Sequence, residues 1–333
     1  MTDSYGRTID YMRVSITDRC NLRCRYCMPH GIKTIPMKEI LTFEEIASVV
    51  RSGADLGIRK IKVTGGEPLV RRGCSHLIER LKEIPGIEEV TVTTNGVLLY
   101  SYLEELKEAG TDGINISLDT LNAKRYKEIT GYDSLDTVLR GIQAALKTDI
   151  PIKTNTVVQE QMDKEEWLPL VMMAKDVPID VRFIEMMPVG YGKKLDSGEY
   201  ESLQAEIRSQ FPDMKADMSR HGNGPAEYYK IPGFRGSIGF IAAMHGKFCS
   251  SCNRLRLTST GFLKSCLCYD DGTDLKRILR AKSKIEGFEK NDLPPERKLR
   301  QAIENTIREK PKAHCFEEQE QITESGVMAS IGG

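Results

Sequence analysis

The sequence predicts an α/β protein built as a partial, open (β/α)6 barrel, with a C-terminal region that closes its mouth. Three observations predict it. Short apolar stretches and amphipathic stretches alternate about six times between residues 10 and 185, with short connections. That rhythm gives a mostly parallel sheet covered by helices. The polar and glycine-rich segments follow the ends of the apolar stretches, the edge at which α/β barrels and open sheets bind substrates. Six units fall short of the eight in a closed TIM barrel, so the barrel is TIM-like and its mouth is wide. A doubly wound sheet is the competing arrangement.

Residues 1–8 read as a loose polar arm, and 10–16 as the first strand. An irregular stretch covers 31–40. Thr42 can cap the first helix, with Glu45 reaching back and Leu41 packing on Ile46. That helix runs to about residue 56, where Gly57 ends it. Strands follow at 58–64, 90–94, 113–118, 152–158 and 181–185. Helices lie at 74–83, 102–109, 135–146 and 164–173. After Pro188 the rhythm changes, which divides the chain into 1–188 and 189–333. The second part has a weak helix at 200–211, a strand within 236–242, and helical signal at 275–279 and 299–309. Ile331-Gly332-Gly333 reads as a flexible tail.

The chain has 333 residues, with 48 Lys and Arg against 48 Asp and Glu, so its net charge is zero. A neutral chain is a poor general coat for nucleic acid. No apolar run reaches 18 residues, so nothing predicts a membrane span. No signal-peptide core precedes the first strand, which predicts a cytoplasmic protein. The nine cysteines are an odd number, and seven fall into two clusters. Metal centres in a reducing compartment explain that better than disulfides.

The first cluster is Cys20-x3-Cys24-x2-Cys27. Three thiolates this close make a soft-metal site. Zinc would want a fourth ligand, and His30 is the nearest candidate. A 4Fe-4S cluster on three cysteines would instead keep one iron open to a substrate. Thr93 and Ser117 end strands, where they could hydrogen-bond a cofactor or simply satisfy their loops. Met187 could pack near a bound base or in the core.

The cysteine spacing, with Tyr26 before the last cysteine and Gly65-Gly66-Glu67-Pro68 after the second strand, resembles the radical S-adenosylmethionine superfamily. The resemblance implies that the open iron chelates S-adenosylmethionine, which is cleaved to a 5′-deoxyadenosyl radical. It implies cofactor contacts at Tyr26, Gly66, Thr93, Ser117 and Met187.

The second cluster is Cys249-x2-Cys252-x13-Cys266-x-Cys268. Its spacing alone suits either a structural zinc or a second iron–sulfur centre. Arg254 and Arg256 follow on one strand face, and their forks suit phosphate. Arg13, Lys60, Lys62, Lys153 and Arg182 lie on predicted strands. A cation inside a barrel is costly without a partner, which makes each a candidate for binding an anion. No Walker A loop is present.

The whole chain resembles the GTP 3′,8-cyclase family of molybdenum-cofactor biosynthesis. The resemblance rests on Gly6-Arg7, Tyr11-Met12-Arg13, residues 183–188, Gly224-Pro225-Ala226, residues 249–258, Lys310-Pro311, His314 and Gly332-Gly333. It implies two 4Fe-4S clusters, the second held by Cys249, Cys252 and Cys266. It implies GTP binding by Arg13, Lys60, Lys62, Lys153, Arg182, Arg254 and Arg256. The tail glycines, Gly332 and Gly333, would assist catalysis, and Arg182 would act near the chemistry. The product would be 3′,8-cyclo-7,8-dihydro-GTP, passed to a cyclic pyranopterin monophosphate synthase. Flavodoxin or ferredoxin would donate electrons, and the chain would form a homodimer. Cys268 departs from the family pattern, where an aromatic that does not ligate is common. Two other readings remain at this point: a radical enzyme that modifies a peptide or small molecule, and a zinc-stapled binding protein.

Overall fold

Along the first six strands side chains alternate between two environments, because successive residues of a strand point to opposite faces. The computed structural model describes residues 1–31, 35–160, 162–195, 199–219, 221–246, 248–281 and 294–331. In chain order the first part holds β1 (Tyr11–Ser15), α1 (Phe43–Asp55), β2 (Lys60–Thr64), α2 (Cys74–Lys82), β3 (Glu89–Thr94) and α3 (Leu99–Glu108). There follow β4 (Gly113–Ser117), α4 (Ala123–Thr130), α5 (Leu135–Ala145), β5 (Ile152–Val157), α6 (Lys164–Asp176) and β6 (Ile179–Ile184). Met12, Val14, Ile61, Val63, Val90, Val92, Ile114 and Ile116 are buried on the outer face, with the apolar sides of the helices in the same core. Each such aliphatic side chain contributes about 1.5–3 kcal/mol by leaving water.

The C-terminal part adds α7 (Tyr200–Gln210), β7 (Lys215–Ala216), β8 (Glu227–Lys230), β9 (Ile238–Ile241), β10 (Arg254–Leu257), β11 (Phe262–Lys264) and β12 (Thr273–Asp274). It ends with α8 (Leu275–Leu279) and α9 (Pro295–Arg308). Among the described residues twelve strands form one sheet, ordered β12-β11-β10-β1-β2-β3-β4-β5-β6-β9-β8-β7. The C-terminal part therefore extends both edges. β10 runs parallel to β1, and β9 parallel to β6. The edge strands are β12 and β7, and no ladder joins them among the described residues, so the barrel stays open.

Three expectations need correction. Residues 1–8 are not a loose arm: Thr2 bridges to Thr8. Arg7 is buried, ion-paired with Asp3 at 2.6 Å, and donates to the carbonyls of Cys249 and Pro311 at 2.9 and 2.7 Å. A buried guanidinium needs such acceptors, and they anchor the arm. Ile331 is not frayed, because its side chain is buried in a small apolar cluster with Val189 and Leu267. Gly332 and Gly333 lie outside the described residues. The helix α4 was not expected, although Asn122 caps it and Gly131 ends it at φ +78°.

Candidate active site

The first cysteine loop leaves the C-terminal end of β1 and is tied to its surroundings by main-chain bonds. The N–H groups of Arg23 and Arg25 donate to the carbonyls of Thr130 and Ile129 at the end of α4, at 2.8 and 2.9 Å. Those of Cys27 and Met28 both reach the Cys24 carbonyl at 2.9 Å. Gly66 N–H donates to the Thr17 carbonyl at 2.7 Å. A β-carbon on Gly66 would lie 2.4 Å from the Arg19 carbonyl oxygen, so only glycine lets the turn after β2 approach the loop this closely. Glu67 is buried and accepts from Leu69 N–H, Thr94 Oγ1 and Asn95 N–H at 3.0, 2.8 and 2.6 Å. Burial raises its carboxyl to about 7. Asn95 in turn donates to Asn21 at 2.7 Å. Glu67 thus joins the ends of β2 and β3 to the cysteine loop.

The thiols themselves prefer a positive partner. Burial raises Cys20, Cys24 and Cys27, the last to about 12, and the neighbouring thiolates raise Cys24 and Cys27 further. Among the described residues no three His, Cys, Asp or Glu side chains converge on the position of a single metal ion. His30 packs edge-on to Tyr191, with ring centroids 6.0 Å apart, rather than completing a zinc set. Three soft, mutually repelling thiols fit a cationic iron–sulfur cluster with one iron left open.

Of the residues expected at S-adenosylmethionine, Thr93 and Ser117 end β3 and β4 on the inner face, half-buried. The Tyr26 hydroxyl donates to Asp119 Oδ2 at 2.9 Å. Burial raises that aspartate to about 6. Met187 packs beside the small apolar cluster that also holds Val189.

Below this rim the inner face is cationic. Register sets Arg13 across from Lys62 on β2 and from Arg256 on β10. Arg182 Nη2 donates to Asn115 Oδ1, while its Nε is buried without a partner. A β-carbon on Gly239 would come within 2.8 Å of Arg182 Cγ, so the glycine opposite makes room for that side chain. Arg254 lies over the Phe248 ring at 4.6 Å, and its Nε is likewise unsatisfied. Burial, then Arg182 and Arg13, holds Lys62 well below the usual lysine range. Burial, then Arg13 and Arg254, brings Arg256 down to about 9. The other two expected cations have their own carboxylates: Lys60 meets Asp10 at 2.7 Å and Lys153 meets Asp180 at 3.0 Å. Lys153 also donates to the His221 carbonyl. Repelling cations crowded on the inner face of a barrel call for a polyanion.

The second cysteine group lies at the opposite end of the barrel. Cys249 and Cys252 precede the N-terminal end of β10, which parallels β1, whereas the first loop follows the C-terminal end of β1. Cys266 follows β11, antiparallel to β10, and so returns to the same end. Burial raises Cys266, the Cys268 N–H and Lys310 oppose that, and the thiolates of Cys252 and Cys249 are close enough to add to the rise. Burial also raises Cys252, but Lys310 and Arg254 outweigh it and the net shift is downward. Lys310 is buried, and its Nζ donates to the carbonyls of Ser265 and of Arg254, the latter at 3.0 Å. His314 N–H donates to Cys249 Sγ at 3.4 Å. Three thiols flanked by donors again fit an iron–sulfur cluster with an open iron. The Cys268 sulfur is turned elsewhere, 3.0 Å from that of Cys315.

The segment after α9 spans the open seam. Glu324 pairs with Lys264 of β11 at 2.5 Å, both buried. Gly326 and Val327 pack on Gly190, beyond β6. Ala329 N–H is near enough to the Cys27 sulfur to favour its thiolate, so the segment ends at the first cysteine loop.

Sequence reasoning missed Lys310 and Arg7 as supports of the second cysteine group, and Glu67 and Asn95 as supports of the first. Glu67 had a signal, since it sits inside the glycine motif. Lys310 and Arg7 act on groups far away in the chain, and no local spacing marks them.

Comparison with known proteins agrees with this geometry. The Radical SAM superfamily profile matches residues 14–174, and the Molybdenum Cofactor Synthesis C profile matches residues 179–316. The GTP 3′,8-cyclase of Clostridium perfringens (strain 13 / Type A) is 43% identical over 334 residues, covering 100% of both chains. That of Desulforamulus reducens is 40% identical over 338 residues, again covering 100% of both. Streptococcus suis SuiB bound to S-adenosylmethionine has a similar fold, with TM-score 0.62 at 16% identity over 78% of this chain and 61% of that one. SuiB bound to its precursor peptide SuiA gives TM-score 0.59. Two profiles that divide the chain between them, and full-length relatives at this identity, show that it belongs to the radical S-adenosylmethionine superfamily and, within it, to the GTP 3′,8-cyclase family.

Proposed function

We propose that this protein is a GTP 3′,8-cyclase acting in molybdenum-cofactor biosynthesis, with two 4Fe-4S clusters and S-adenosylmethionine as cofactors. The observation that carries the reading is the inward layer of Arg13, Lys62, Arg182, Arg254 and Arg256, set between two three-cysteine loops at opposite ends of one barrel. Cys20, Cys24 and Cys27 would hold the cluster that supplies the electron for reductive cleavage of S-adenosylmethionine, the chemistry by which hydrogen would be abstracted from C3′ of GTP ahead of C3′–C8 closure.

The chain's residues bind, orient and shield. Gly66, Thr93, Ser117, Tyr26 and Met187 line the cofactor end in this reading. The cation layer grips the triphosphate, with Arg182 nearest the reacting ribose. Lys60 and Lys153 join when the nucleotide displaces their carboxylates. Cys249, Cys252 and Cys266 would hold the second cluster, whose open iron would serve the guanine. Gly332 and Gly333 assist catalysis in this reading, which is supported by the approach of Ala329, three residues earlier, to Cys27. In this reading residues 1–188 form the radical S-adenosylmethionine partial barrel, and 189–333 the auxiliary-cluster and GTP-binding region with the double-glycine tail.

The electron donor would be a flavodoxin or ferredoxin, the product would pass to a cyclic pyranopterin monophosphate synthase, and the working form would be a homodimer in the cytoplasm. No helix among the described residues is long and apolar enough to cross a membrane. The test is anaerobic reconstitution with S-adenosylmethionine, reductant and GTP, followed by chromatography. The reading expects 5′-deoxyadenosine and 3′,8-cyclo-7,8-dihydro-GTP in equal amounts. 5′-Deoxyadenosine with unchanged GTP overturns it.

A further inference from the structure

Cys268 and Cys315 form a close thiol pair outside both three-cysteine sets. Their sulfurs are 3.0 Å apart across 47 positions of chain, and the Cys315 N–H also donates to the Cys268 sulfur at 3.3 Å. Both are free thiols, Cys268 wholly buried and Cys315 half-buried. The backbones alongside are already tied: Glu324 N–H donates to the Cys268 carbonyl and the Tyr269 hydroxyl to the Ala313 carbonyl, each at 3.2 Å. A disulfide needs sulfurs about 2.05 Å apart, so side-chain rotation closes the remaining gap.

We propose that Cys268 and Cys315 are a redox-active dithiol, which closes by exchange with a low-molecular-weight disulfide and staples the seam-spanning segment to the loop carrying Cys266. Cys315, the accessible sulfur, attacks one sulfur of the small disulfide and releases one thiol. Cys268 then attacks the Cys315 sulfur of the mixed disulfide and releases the second. Two protein thiols are oxidised by two electrons, and one small disulfide is reduced to two thiols that carry off both protons. The burial of Cys268 makes the order obligatory.

The proposal stands apart from the cyclase reading, because its test follows two sulfurs rather than turnover. Anaerobic holoenzyme is incubated with oxidised glutathione, quenched in acid, alkylated and digested for peptide mass spectrometry, with iron measured in parallel. The expected result is a peptide pair joined through Cys268 and Cys315, lighter by two hydrogens and reversed by dithiothreitol, with iron content unchanged. Cys268→Ser should trap glutathione on Cys315, and Cys315→Ser should leave Cys268 without an adduct. Recovery of both residues fully alkylated overturns the proposal. So does linkage of either one to Cys249, Cys252 or Cys266 with loss of iron, or failure of Cys268→Ser to trap the mixed disulfide.

Discussion

Lys62 carries the sharpest consequence at the scale of single residues. Burial among Arg182 and Arg13 holds its proton affinity well below that of free lysine. A bound triphosphate restores that affinity. Above the free-protein pKa of Lys62 the unbound side chain is neutral, so binding takes up a proton and affinity falls as pH rises. Below that pKa the side chain is already charged and no uptake occurs. Calorimetry of GTP binding in buffers of different ionisation enthalpy should show the uptake. Lys62→Arg, whose guanidinium holds its proton more tightly than an ammonium, should reduce the uptake while keeping affinity. Lys62→Met should weaken binding about tenfold, or about 1.4 kcal/mol. Arg182→Ala should leave both clusters and much of the nucleotide affinity intact, and lower cyclised product at least tenfold by chromatography. Undiminished product would remove Arg182 from the chemistry.

The cysteines were legible because ligand spacing is local. The cations were legible as a class, since a charged residue within a strand pattern is unusual. Their pairing was not: nothing near Lys60 or Lys153 in sequence announces Asp10 or Asp180 as partner.

At the scale of elements, α1 shows a start signal that acts as written. Thr42 Oγ1 accepts from Glu45 N–H at 3.2 Å, and Glu45 returns an acceptor to Thr42 N–H at 2.7 Å. Thr42→Ala should cost about 1 kcal/mol, seen as a lower denaturant midpoint with an unchanged slope. By contrast, α4 escaped notice. It is eight residues long and buries only Tyr126, Ile129 and Thr130, too few to set up a periodic stripe. Its cap and its terminal glycine were the readable marks. The strands β7 and β12 have two residues each and are set by antiparallel pairing with β8 and β11, too short for a local pattern to record.

At the scale of the whole molecule, alternation of strands and helices made the barrel legible, but not how the second half joins it. β10 lies beside β1 although some 240 residues separate them in sequence. The buried Lys264–Glu324 pair ties the C-terminal segment to that edge. Lys264→Ala strands a buried carboxylate and should cost about 3–5 kcal/mol, read as a lower thermal midpoint. Lys264→Met together with Glu324→Leu, which removes both charges, should recover most of it.

The unlaced seam between the edge strands β12 and β7 bears on how a bulky guest gets in. A barrel hydrogen-bonded all the way round would have to sever its own peptide rungs to widen. Here the staves on either side can part while every rung stays intact, for the cost of side-chain contacts alone. Among the described residues the stretch of chain from Glu324 to Ala329 bridges the two sides, so admission of a bulky guest and its sealing against solvent would fall to that stretch.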